Sequence, residues 1–266
     1  MTPPIAIRAG NALDHPAIVR LFGELEIPDP PPSLGKFEAN MLPRVIVACD
    51  DGVVIGYGSW RLYGSTMHIV NIAVDRGYRS HGVGRALMGR MRAIAIQARC
   101  TRWFLNVKKD NTPARRLYEA CGMAVMRESW AMTIDWAAAR GLPTELADAA
   151  PLDDADVDQA AARFRQHRER LATMTSRPGY ITTVLRQAGD LVGLAAFDPS
   201  FPGAYPFCVA RPALCGALLS ALALHADPKF DFVRVTIEDD RPLVDTLVGA
   251  GATVTFEILQ LAADLV

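Results

Sequence analysis

The sequence predicts an α/β (α+β) chain of two domains, each a sheet with helices packed on it. Three observations carry that prediction. The chain has 266 residues, near the size at which one hydrophobic core stops growing and chains divide. Its first half alternates strand-like and helix-like segments in the order β-α-α-β-β-β-α-β-α-β-β. Its second half then repeats landmarks of the first in the same order, the mark of a duplicated unit. Val47…Gly56 and Val184…Gly193 are both strand pairs around a glycine turn, Asp51-Gly52 and Gly189-Asp190. Phe104-Leu105-Asn106-Val107, Pro113 and Gly122 recur as Val233-Arg234-Val235-Thr236, Pro242 and Gly251, with proline and glycine each displaced by 129 residues. The expected domains are 1–140 and 141–266, joined by a linker at Arg140–Thr144.

Each element has a local cause. Ile5–Arg8 reads as a short strand. Asn11 and Asp14 cap a helix to about Glu24, with Ala17, Ile18, Leu21 and Phe22 on its apolar face. Pro28, Pro30, Pro31 and Pro32 break the chain before a short helix over Leu34–Leu42. Arg44–Cys49 and Val53–Arg61 form a hairpin on Asp50-Asp51-Gly52, and Met67–Val74 is the next strand. After a Gly/Arg-rich loop at Asp75–Gly84, a helix runs to about Ala98 with Val83, Leu87, Met91 and Ile94 in one stripe. Trp103–Val107 is a strand. Pro113–Cys121 is a short helix, capped by Asn111 or Thr112 and ended by Gly122. Val125–Arg127 and Ala131–Trp136 close the half as a strand pair. Further on, the acidic run Asp153–Asp158 reads as a helix N-terminus, and Ala160–Leu171 as a solvated helix face.

Composition excludes several classes. Half the residues are hydrophobic and 21% are charged, which is neither a disordered nor a collagenous chain. No apolar run approaches the roughly 20 residues that span a bilayer, so no membrane partner is expected. Met1-Thr2-Pro3-Pro4 is no export leader, and the expected location is cytoplasmic. The five cysteines are scattered and include no C-x-x-C; they read as reduced thiols, with neither a disulfide frame nor a metal site. A net charge of −1 argues against nucleic acid as a partner. The charge is uneven, however: residues 1–140 hold 18 Lys+Arg against 12 Asp+Glu, and residues 141–266 hold 10 against 17. A basic first half points to an anionic ligand there.

That ligand has a candidate cradle. Val74-Asp75-Arg76-Gly77-Tyr78-Arg79-Ser80-His81-Gly82-Val83-Gly84-Arg85 goes from strand through glycine turn to helix. A helix start presents unpaired N–H groups and a positive dipole end, and glycines let a phosphate approach the backbone. Two better-known phosphate loops fail. No Gly-Lys-Ser/Thr occurs, and Leu87 stands where a dinucleotide fingerprint needs its third small residue.

At these residues the sequence resembles the GNAT superfamily of acyl-CoA-dependent N-acyltransferases, whose signature is [QR]-x-x-G-x-[GA]. Here it reads Arg79-Ser80-His81-Gly82-Val83-Gly84. A second family block, N-x-x-A-x-x-[LF]-Y-x-x-x-G-F, reads Asn111 to Met123, with only the final Phe changed to Met. The resemblance covers Ile5–Trp136 and implies tandem GNAT-like domains, each a central mixed, mostly antiparallel sheet flanked by helices. It implies acetyl-CoA as co-substrate, no metal, and a primary amine of a small molecule or peptide as acceptor. The pyrophosphate would sit on the N–H groups of Arg79, Ser80, His81, Gly82, Val83 and Gly84 with Arg85 close by. Pantetheine would pair with Ile72, Ala73 and Val74, which would also offer an N–H to the developing oxyanion. Asn111 and Ala114 would border the cofactor. Tyr118 matches the tyrosine that protonates the departing thiolate. His68 stands where some members carry a glutamate base, and imidazole suits that task. Asn106, where others carry a glutamate, accepts no proton; Glu24 and Glu26 are further base candidates.

The second half departs from the pattern. Val209–Leu219 matches the strand–loop–helix segment but lacks four residues in the loop, Leu247 replaces the tyrosine, and Asp240 replaces Asn111. The expected outcome is a copy that keeps the fold, loses the cofactor, and walls the acceptor cleft or steadies the first copy. A monomer and a homodimer are both compatible with the sequence. The competing reading is a non-catalytic acyl-CoA-binding or sensing protein: Tyr118 favours the enzyme, and Asn106 the binder.

Overall fold

The computed structural model describes residues 5–27 and 30–265. The expectations placed on Met1-Thr2-Pro3-Pro4 and on Pro28 therefore lie outside the described residues. In chain order the elements are β1 (Ala6–Ala9), α1 (His15–Phe22), α2 (Leu34–Lys36, continued by a π turn over Phe37–Met41), β2 (Val45–Asp50), β3 (Val53–Tyr63) and β4 (Thr66–Val74). Then come α3 (Val83–Gln97), β5 (Arg102–Lys108), α4 (Thr112–Ala120), β6 (Ala124–Asp135), α5 (Trp136–Ala139), β7 (Asp148–Pro151), α6 (Val157–Arg163) and α7 (Arg168–Thr175). The chain ends with β8 (Ile181–Gln187), β9 (Asp190–Asp198), β10 (Gly203–Val209), α8 (Cys215–Ala223), β11 (Phe232–Glu238), α9 (Arg241–Gly249) and β12 (Thr253–Asp264). Among the described residues no helix is long and apolar enough to cross a membrane.

Contacts gather the chain into two compact units that are not consecutive stretches. Unit 1 is Met1–Val107, Asn111–Met126 and Gln260–Val266; unit 2 is Lys108–Asp110 and Arg127–Leu259. The sequence places one division near residue 140, whereas the contacts divide β6 and β12 internally.

Unit 1 is a mixed sheet in the order β1-β2-β3-β4-β5, with the end of β12 beyond β5. Only β4–β5 is parallel among the first five strands. The β2–β3 hairpin turns through Asp51 and Gly52, both at positive φ, as a tight hairpin turn requires. Successive β3 residues face opposite layers. Tyr57 joins Ile18, Leu21, Phe37, Val45, Val47 and Ala73 under α1. Gly56 and Gly58 face α3, where a Cβ would meet Val83, Leu87 and Met91. Two glycines thus bring α3 down onto the sheet, and its first turn beside the end of β4.

Unit 2 runs β6-β11-β10-β9-β8-β7, again with one parallel pair, β10–β11. Met132, Ile134, Leu218, Leu222, Leu243 and Leu247 form its main core. The repeat is visible in detail. Asn111 caps α4 by accepting from the Ala114 N–H, and Asp240 caps α9 by accepting from the Leu243 N–H.

Three sequence readings need correction. Val125–Arg127 and Ala131–Asp135 are parts of one strand, β6, and Trp136 opens α5. The strand stays continuous because its polar middle is partnered: Ser129 pairs with Glu238 across the sheet and Arg127 forms an ion pair with Glu238. The stretch Ala160–Leu171 is two helices broken at Phe164–His167, with Arg165 at positive φ and Ala160, Ala161 and Leu171 buried. Arg140–Thr144 is no free linker, since Leu142 is buried in the core of unit 2.

Candidate active site

Two features of unit 1 meet at the end of β4. The first is a wedge. Parallel pairing between β4 and β5 stops at Ile69–Leu105, although β4 runs on to Val74. A register shift against β3 between Asn71 and Ile69 marks the same point. Beyond it, backbone groups of Asn71–Val74 that would face β5 have no strand pairing there, so an extended ligand can supply the missing ladder.

The second is the loop that starts α3. Ser80 and Gly82 both have positive φ, and nothing lies within 4 Å of where a Gly82 Cβ would stand. Left-handed residues alternating with ordinary ones turn successive N–H groups to one side, which makes an anion-binding concavity. Asp75 shapes the entry by accepting from the Gly77 N–H and pairing with Arg20; these two donors hold its carboxyl below the usual range.

The expected residues divide clearly. Arg79, Ser80, His81, Gly82 and Arg85 are exposed, and the Val83 side chain is buried under β3. The Arg79 guanidinium is held by Glu24 at 2.5 Å and by the Val74 carbonyl at 3.3 Å, so Glu24 is engaged as an ion-pair partner. His81 Nδ1 lies 2.8 Å from the Arg79 carbonyl. Ile72 and Val74 are half-buried and Ala73 is buried. Asn111 Oδ1 is taken by the cap on Ala114.

The second motif lies against the first. A Cβ on Gly84 would stand 2.9 Å from Leu117, so the end of α4 is packed against the first turn of α3. Tyr118 follows Leu117 and is 8% exposed; burial pushes its phenol up to about 12. Cys121 beside it feels the Arg85 charge, but burial dominates and raises its thiol. His68 lies one residue before the wedge opens, its ring stacked on Phe104 at 4.4 Å and 5°. Asn106 is exposed, with Oδ1 3.5 Å from Gln260 Nε2. Sequence reading missed the left-handed Ser80, because a serine signals no such conformation, and the Arg20–Asp75 tie, because its partners lie far apart in the chain.

The fold agrees with comparison to known proteins. The model of the Acetyltransferase (GNAT) family matches residues 16–123. Residues 16–123 are thus similar to a GNAT domain. No curated protein matches the chain. Among solved structures, a GCN5-related N-acetyltransferase from Sphaerobacter thermophilus is 18% identical with a TM-score of 0.69, covering 98% of this chain and 96% of that one. A tandem GNAT protein from the clavulanic acid biosynthesis pathway is 18% identical with a TM-score of 0.62, covering 99% of both chains. A GCN5-related N-acetyltransferase from Anabaena variabilis is 11% identical with a TM-score of 0.61, covering 99% of this chain and 73% of that one. At these identities the likeness establishes the tandem GNAT fold. The chemistry of the GNAT family is acyl transfer from acyl-CoA, and the residues of this domain fit that co-substrate. The loop offers backbone N–H groups with open space at Gly82, and the wedge offers an unpaired strand edge beside it. Among the described residues no group of three or more His, Cys, Asp and Glu is placed to hold a metal ion.

Proposed function

We propose that the protein is a cytoplasmic N-acetyltransferase that moves an acetyl group from acetyl-CoA to a primary amine by direct transfer in a ternary complex. The observation that carries this reading is the pair of left-handed residues, Ser80 and Gly82, at a helix start beside the open edge of β4. Acetyl-CoA supplies an activated thioester. The N–H groups from Arg79 to Gly84 take its pyrophosphate, Arg85 adds charge, and Ile72, Ala73 and Val74 hold its pantetheine arm. Asn111 and Ala114 border the same ligand.

The residues then divide the proton work. An ammonium ion is no nucleophile, so His68 takes the proton of the incoming amine. The nitrogen forms its bond to the thioester carbon and gives up its second proton to solvent, the carbon–sulfur bond breaks, and the thiolate takes the phenolic proton of Tyr118. Solvent returns a proton to Tyr118 and takes the one held by His68. The acidic second half, with 10 Lys+Arg against 17 Asp+Glu, supports a cationic acceptor, drawn to that surface by long-range charge.

Tyr118→Phe tests the reading. Calorimetry should give an unchanged acetyl-CoA affinity, while turnover with an accepted amine falls about 10²-fold, the low end for a proton-transfer residue. The low end applies because a phenol near 12 is a weaker acid than a thiol near 8.5, making donation uphill. A second reading, a non-catalytic acyl-CoA-binding protein, is favoured by Asn106 and by the engagement of Glu24 with Arg79. Binding without turnover across a panel of amines would decide for it.

A further inference from the structure

Unit 2 carries the counterparts of the GNAT cradle and wedge, and its own residues fill both. At the cradle, β10 leads through a turn at Pro212–Leu214 into α8. The segment Leu142–Glu145 lies across that helix start. The Gly216 N–H donates to the Pro143 carbonyl at 3.1 Å, and the Glu145 N–H donates to the Ala213 carbonyl at 2.8 Å. The Glu145 carboxylate takes Arg211, whose Nε lies 3.0 Å from each oxygen, and Gln187 takes the same guanidinium at 2.6 Å. A Cβ on Gly216 would stand 2.2 Å from Thr144 Oγ1 and 2.6 Å from the Pro143 carbonyl. A helix N–H and an arginine are the donors an anion uses at such a site. Here a carbonyl and a carboxylate of the same chain hold them.

The wedge is closed as well. Pairing of β10 with β11 is limited to Gly203–Arg234 and Ala204–Val235. Past that point, the Tyr205 hydroxyl of β10 donates to Glu238 of β11 at 2.5 Å. Gln166 Nε2 reaches Glu238 at 3.2 Å and Cys208 Sγ at 3.8 Å, and Arg127 donates to Glu238 at 2.9 Å. These side chains span the strands at the place where, in unit 1, β4 and β5 are not paired.

We infer that residues 142–145 are a built-in occupant of the anion-binding helix start of unit 2. This strap and the Tyr205–Glu238 bridge make unit 2 a self-filled copy, so the chain offers one cofactor site. The single-site part rests on the proposed acetyl-CoA reading; the strap does not.

Hydrogen exchange on the full chain reads the strap directly. The Gly216 and Glu145 amides should exchange slowly, as groups bonded within a docked segment do, whereas first-turn amides of an uncovered helix exchange fast. Gly216→Ala gives a test with opposite signs. Alanine is the better helix residue, so an undocked strap predicts a raised Tm. A docked strap predicts a lowered Tm, because the new methyl displaces Thr144 and the Pro143 backbone. Glu145→Gln, which keeps the main-chain bonds, should leave Gly216 protected. Fast exchange at Gly216, or a higher Tm for Gly216→Ala, would overturn the strap. For the site count, coenzyme A is titrated into a Gly82→Glu chain whose melting matches the parent. No binding is expected, and a remaining site would overturn the self-filled copy. A parent chain that binds no coenzyme A would sink the proposed function, while exchange and melting still decide the strap.

Discussion

Tyr118 sits 8% exposed at the end of α4, and desolvation of its charged form pushes the phenol up to about 12. The group therefore stays protonated far above neutral pH, and kcat should show no alkaline decline from its ionisation below about pH 11. Since the folded value lies above the unfolded value of about 10, its share of stability is full below pH 10. That share is lost as pH rises through 12. Asp14 shows the opposite sign. Its buried carboxylate accepts from Arg8 at 2.7 Å twice and from the Asn11 N–H at 2.8 Å, and these donors, Arg8 first, lower its pKa. Stability from this group is present above the unfolded pKa of about 4 and is lost as pH falls through the lower folded value. Asp14→Asn should cost about 1–2 kcal/mol at pH 7, discounted for the exposure of Arg8. Urea melts at pH 7 and pH 3 check this; an equal loss at both would refute a charge effect. At this scale the sequence was legible where residue type dictates role. Asn111 caps α4 and Gly82 takes a positive φ, as their residue types favour. Ser80 was not legible, because its φ is imposed by the loop around it.

Whole elements depend on close approach, which a sequence states only as glycine. Gly56 and Gly58 both face α3, but their neighbours differ. A methyl at Gly56 would stand 3.0 Å from the Ala73 carbonyl, a backbone atom of β4, while one at Gly58 would meet the tip of Met91 at 3.0 Å. Methionine tips move and backbone carbonyls do not. Gly56→Ala should therefore cost more than Gly58→Ala, about 2 kcal/mol against under 1. It should also weaken acetyl-CoA binding, because Ala73 lies on the wedge strand. Paired thermal melts and calorimetry check both; equal losses would show that the helix shifts bodily. Periodicity located these elements to within a residue or two, as β3 and α3 show. It failed at β6, where Glu128, Ser129 and Trp130 read as a gap between two strands. The ion pairs of Arg127 with Glu238 and of Glu128 with Lys109 let the strand continue, and such partners are invisible along the chain.

At the scale of the molecule, both units cross the division near residue 140 that the repeat suggests. Unit 1 takes residues 260–265 from the far end of the chain, beside β5, and unit 2 takes residues 127–135 of β6, paired to β11. Duplication explains why the sequence did not disclose this. Two copies of one fold carry two equivalent last strands, and the pattern shows that each copy has one without showing which sheet it joins. The consequence is physical. In unit 1 the Leu265 N–H donates to the Thr101 carbonyl at 2.8 Å, and Leu261, Ala262 and Leu265 are buried. Removing residues 260–266 should expose the β5 edge and apolar surface beneath it, leaving an unpaired strand that invites aggregation. The truncated chain should lose acetyl-CoA binding, although the deleted residues include none of the proposed ligand contacts. Hydrogen exchange should then accelerate along β5 while β8 and β9 stay protected. Uniform acceleration would mean that the two units melt as one, and unchanged exchange along β5 would mean that the last residues only decorate the sheet.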